Sequence, residues 1–118
     1  MKLICLALMS VLTFSACGGN ADLDAFLALD TDKAKAFTGE TCADIAKTAG
    51  AWRKANTANY DAMREKLKAA YPEGPPKDFV EKHKTQMDAN KKAVIGATIK
   101  CSDDPDFSAM MDETSTKD

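Results

Sequence analysis

Between Thr41 and Cys101 the sequence reads as two long helices folded back on each other, and this pattern constrains the chain more than any other. In the first segment Cys42, Ile45, Ala49, Trp52, Asn56, Tyr60, Met63, Leu67 and Ala70 recur at steps of three and four, which traces one face of a helix. In the second, Phe79, Val80, His83, Met87, Val94, Ile95, Thr98 and Cys101 do the same. Between them stands Pro72-Glu73-Gly74-Pro75-Pro76. Proline lacks the amide proton a helix interior needs, and glycine tolerates a turn, so this run ends one helix and restarts the next. Folding the chain antiparallel about Tyr71-Pro72 brings Cys42 opposite Cys101, both on the inward stripe.

The flanks read as shorter elements. Leu23, Phe26 and Leu27 share a face, which predicts a short helix from Ala21 to Leu29 behind an Asn20 or Asp22 cap. Asp30-Thr31-Asp32 then offers a cap for a further turn or two, ending with Phe37 and stopped by Gly39. These apolar faces are expected to cover the outer side of the hairpin. Thr41 has the position of an N-cap for the first long helix, with Asp44 three residues on. Gly50 and Gly96 lie nearly opposite in the folded register and predict a close crossing of the arms, with a kink near Thr48-Gly50 as the competing reading. Asn56, also inward, is the expected polar residue to set helix register. After Cys101, Ser102-Asp103-Asp104-Pro105 is a new helix start, with a capping aspartate and proline in the first turn, and with Phe107, Met110 and Met111 to dock it. There is no strand pattern and no repeat. With 118 residues and 45% hydrophobic content, the chain supports one small folded domain.

The first residues are a processing signal. Lys2 is followed by an apolar run from Leu3 to Phe14, too short for a membrane span, which needs about 20 residues. Phe14-Ser15-Ala16-Cys17-Gly18 then resembles the lipobox of bacterial lipoproteins, a large apolar residue and two small ones before a cysteine. That resemblance covers residues 1–17. It implies cleavage before Cys17, diacylglycerol on its sulfur and a fatty acid such as palmitate on the new N-terminus. Several acyl chains hold a protein on a membrane where one would not. An ordinary secretory signal cut near Ala16 is the alternative. Gly18 rather than aspartate after Cys17 suggests an outer-membrane address, on the periplasmic or surface face, over the inner membrane.

Under the lipobox reading Cys5 leaves with the signal and Cys17 is taken by lipid, so Cys42 and Cys101 remain as an even pair. An exported domain meets an oxidising compartment, and a Cys42–Cys101 disulfide is expected.

Charge is uneven along the chain. Residues 17–46 carry six acids against two lysines, residues 47–100 carry twelve Lys/Arg against six acids, and the rest is acidic. One reading is internal complementation of a basic hairpin by acidic flanks. The other is a basic face, represented by Lys66, Lys68, Lys84 and Lys91, that meets an envelope protein or anionic lipid. Nucleic acid is not an expected partner for an exported chain whose net charge is −2.

His83 is the only histidine. A His/Met pair inside a helical bundle is a haem-iron ligand set, which makes His83, with Met87 beside it, the weak candidate for a haem or metal carrier. A partly buried histidine near the turn is the plainer reading, and no haem-attachment motif accompanies it. No Gly-x-Ser-x-Gly, His-Glu-x-x-His or phosphate loop is present, so no catalytic residue, cofactor or small-molecule substrate is expected.

The expectation is therefore all-α: a disulfide-closed long antiparallel hairpin (41–101) with short N- and C-terminal helices, a small three- to four-helix bundle. The order is signal peptide 1–16, lipidated Cys17 and tether 17–20, helical domain 21–113 and frayed tail 114–118. The expected role is a non-catalytic, membrane-tethered binding or structural module of the bacterial envelope.

Overall fold

The computed structural model describes residues 18–114; the lipobox, Cys17 and the last four residues lie outside them. The described residues form four helices and no strand: α1 (Gly18–Ala36), α2 (Cys42–Ala70), α3 (Lys77–Lys100) and α4 (Pro105–Thr114).

The helix ends follow the local chemistry. Thr41 is extended, with φ −121° and ψ 158°, and its hydroxyl accepts from the Asp44 amide at 3.1 Å, which caps α2. At the other end Pro72 cannot continue the helix, and the Tyr71 amide donates back to Leu67 at 2.7 Å. The Gly74 amide then donates to the Tyr71 carbonyl at 2.9 Å, closing a tight turn. Gly74 has φ +102°, a conformation that any side chain would make costly. At α4, Asp104 accepts from the Phe107 amide at 2.9 Å, and Pro105 occupies the first turn.

Cys42 and Cys101 form a disulfide, with their Cα atoms 5.6 Å apart. Around it lies the main core: Phe37 from α1's end, Ile45, Ala46 and Ala49 from α2, Ala97 from α3, and Phe107 and Met110 from α4. Phe37 and Phe107 meet edge to face at 6.3 Å, a favoured aromatic geometry.

Three expectations are corrected. The N-terminal segment is not one short helix and a separate turn: α1 is a single helix of 19 residues, beginning inside the stretch read as a tether. The reason is that Asp30 and Thr31 are used elsewhere. Thr31 donates back to the Leu27 carbonyl at 2.8 Å, as helix-interior threonines do, and both side chains serve partners on other helices. Second, α1 does not cover the outside of two arms packed together. It packs against both α2 and α3, while those two scarcely touch. Its residues meet side chains read as inward, Tyr60 among them.

Third, Gly50 and Gly96 do not face each other. A Cβ on Gly50 would stand 2.9 Å from Met110 Cγ, so this glycine admits α4, whereas Gly96 has open space around it.

Candidate functional site

α2 and α3 make little contact with each other, and a cleft lies between them on the side of the turn, with α1 along its floor. Its volume is about 600 Å³, within the range of small-molecule pockets. Leu23 and Leu27 come from α1, Leu67 from α2, and Phe79, Val80 and Met87 from α3. Each lies on its helix's apolar stripe. The stripes on α2 and α3 read as one buried seam; in the structure their halves near the turn face a cavity instead.

The polar floor of the cleft centres on Asp30. Its Oδ1 accepts from the Tyr60 hydroxyl of α2 at 3.1 Å, and its Oδ2 accepts from Asn90 Nδ2 of α3 at 3.4 Å. Asn90 also donates to Thr31 Oγ1 at 3.0 Å and accepts from Gln86 Nε2 at 2.8 Å. One aspartate of α1 therefore holds both arms. Asn90 is 3% exposed, and a polar group this buried costs stability unless such bonds are made.

Tyr60 is embedded in this region. Phe26 packs on its ring at 4.9 Å, Trp52 meets it edge-on at 5.9 Å, and Lys33 Nζ stands 4.6 Å from its centroid. Burial first, and then the negative charge of Asp30, push its hydroxyl up to about 12. Lys33 shifts the other way: burial lowers its pKa, and Asp30 only partly offsets this. The ammonium is attracted by the ring face it covers.

Cations are gathered around the cleft. Lys33, Arg64, Lys68, Lys84 and Lys91 line the cleft, against the carboxylates of Asp30 and Asp88. Lys84 pairs with Asp88 at 2.8 Å; that contact, followed by the Lys91 charge, holds the Asp88 carboxyl below its usual range. Arg64 leans on Asp61 at 3.4 Å and Lys68 on Glu65 at 3.7 Å.

Of the four lysines singled out from the sequence, the structure brings Lys68, Lys84 and Lys91 to this one cleft. Lys66 is not among its lining residues and instead ties α2 to α1 through Asp22 at 3.2 Å. His83 packs against Phe79 with the rings tilted and 4.4 Å between centroids, and faces Asp24 Oδ1 at 3.8 Å. Among the described residues no group of three or more His, Cys, Asp or Glu stands together as a metal site. Asn56 does not set register between helices: its Nδ2 donates to Trp52 of its own helix at 2.9 Å.

The buried polar amide that does join helices is Asn90. The signal for it was present, since Met87, Asn90 and Val94 continue the helical step and a polar side chain stands where the stripe requires an inward one. Tyr60 stands on the inward stripe of α2, but Asp30 carried no comparable signal: it reads as a helix cap, and nothing local says that its carboxylate meets Tyr60.

No described helix is long and apolar enough to cross a membrane. Comparison of the chain with protein-family models, curated proteins and solved structures finds no match.

Proposed function

We propose that this chain is a small, non-catalytic lipoprotein of a bacterial envelope, tethered through Cys17, and that its working part is the cleft between α2 and α3. The cleft carries the reading. It is largely apolar, of ligand size, and held open by an α1 bonded to both arms.

The direction of α1 supports the combination of tether and cleft. Asp22 reaches Lys66, Asp24 reaches His83, and Leu23 shares the cleft with Tyr71 and Pro75, so α1 starts at the turn end. A lipid on Cys17, one residue before Gly18, holds that end against the bilayer with the cleft beside it. Gly18 after Cys17 favours the outer membrane as the address.

The test uses the mature chain carrying Cys17→Ser, oxidised and checked for helicity, with Nile red as a neutral apolar probe. The probe's emission is expected to rise and shift to the blue on binding, and a cleft-filling Val80→Trp substitution is expected to remove the effect. Unchanged emission with the starting protein, or full retention in Val80→Trp, defeats the reading.

A further inference from the structure

We propose that the ligand of the cleft is a monomeric single-chain anionic lipid, its hydrocarbon chain lying between the arms and its head group at the mouth beside Lys84 and Lys91. The inference rests on the cleft being the binding element and adds the chemical class of what enters it.

Shape and lining supply the first part. Apart from the Asp30–Asn90 patch and the charged side chains, the lining is apolar, from Leu23 and Leu27 of α1 to Val80, Met87 and Ile95 on α3. Ile95 remains 49% exposed at the edge, where a hydrocarbon chain would cover it. Burying an alkyl chain is favourable in proportion to the apolar surface it takes out of water, so even a chain of moderate length supplies useful affinity.

Charge supplies the second part. Five cations line the cleft against two carboxylates. Asp61 and Glu65, leaning in from outside, reduce the excess without removing it. The uncompensated charge falls on α3: Lys84 takes Asp88 at 2.8 Å, and Lys91 acts on that same aspartate. Asp88 pairs with Lys84, whereas Lys91, seven residues on along the same helix face and also lining the cleft, has only the field of that carboxylate, which leaves room for a second anion. A carboxylate or phosphate head meets that need, and a cationic head meets repulsion.

The experiment compares dodecanoate with dodecyltrimethylammonium, two ligands of equal chain length and opposite charge, both below their micelle concentrations. Each displaces Nile red from the mature Cys17→Ser chain in low salt. Dodecanoate is expected to compete and the ammonium to compete on the order of tenfold more weakly, the scale of gaining or losing interactions with exposed charges. The double variant Lys84→Glu, Lys91→Glu is expected to reverse that order while keeping helicity. Equal competition by both ligands overturns the anionic inference and leaves an apolar binding module standing. Failure of both to compete, with Nile red still bound, rules out a single-chain lipid. Failure of Nile red itself defeats the underlying reading. Salt-sensitive binding to phosphatidylglycerol vesicles without binding of monomeric dodecanoate points to a membrane-facing surface and overturns the proposal. If Val80→Trp does not fold, Ile95→Trp at the exposed edge serves as the blocking variant, and unchanged dodecanoate binding in it counts against the site.

Discussion

Asn90 donates to Asp30 across 60 residues of sequence, and this contact joins α3 to α1 at the floor of the cleft. Asn90 is nearly inaccessible, and its amide is matched on both sides, by Asp30 and Thr31 as acceptors and by Gln86 as donor. Leucine at this position would leave Asp30 and Thr31 short of a donor. Asn90→Leu is expected to destabilise the domain by about 1–3 kcal/mol. In a double-mutant cycle with Asp30→Ala the two losses should be less than additive. Additivity in urea unfolding would show that the contact couples nothing.

Tyr60 makes the other half of the Asp30 clamp, and pH reads it. Its folded pKa of about 12 lies above its ordinary value of 10.0, so the folded state holds the phenolic proton longer than the unfolded chain. The associated stability is complete below about pH 10 and is lost as pH rises toward 12. Lys33, with its folded pKa lowered, works in the opposite sense, and its relief is complete near its ordinary 10.5. Net loss therefore belongs to the upper part of the window. Ultraviolet titration of the phenolate in Tyr71→Phe protein should show Tyr60 ionising well above free tyrosine, and Asp30→Asn should bring it down. An ordinary titration midpoint would contradict the buried clamp.

The disulfide closes a loop with a sequence separation of 59. Chain-entropy reasoning assigns such a closure about 4 kcal/mol. Cys42→Ala with Cys101→Ala should lower the melting temperature markedly, and non-reducing peptide mapping should recover the two cysteine peptides linked. Two freely alkylated thiols in native protein would exclude the bond.

The two glycines separate two views of the packing. Gly50→Ala sets a methyl 2.9 Å from Met110 Cγ and should cost about 1–3 kcal/mol, less if the methionine swings aside. Gly96→Ala meets nothing within 4 Å and removes a flexible residue from a helix, so it should stabilise by about 0.5–1 kcal/mol. Equal destabilisation by both would restore a close crossing of α2 and α3.

Helical period and capping chemistry are local, and they made much of this fold legible. Thr41, Pro72, Gly74 and Asp104 each act within a few residues, and each stands where its chemistry suggested. The cysteine pair was legible because the two positions share the open end of a fold set by the turn. What was not legible is which stripe meets which. An apolar face states that it needs cover, not what covers it, and α1 could satisfy Tyr60 and Asn90 as well as the opposite arm could. Once α1 intervenes, the arms separate and the cleft appears. Periodicity alone could not distinguish that cavity from a closed seam.

The last prediction concerns the membrane end of the molecule. If the lipobox is used, mass spectrometry of membrane-extracted protein should find acyl mass on a peptide beginning at Cys17. Because α1 starts beside the turn, the bilayer should then shield that end and leave the disulfide end in water. Lys77 follows the turn, and Lys47 stands one turn beyond Cys42; both are exposed in the domain itself. An amine-reactive reagent should label the two comparably in the Cys17→Ser chain. In lipidated protein on vesicles, Lys77 should become slower to react while Lys47 does not change. Equal rates on vesicles, with acylation demonstrated, would mean that the tether lets the domain tumble, and the cleft would then have no fixed relation to the lipid surface. An unmodified N-terminus would remove the tether itself and leave the cleft to be judged on binding alone.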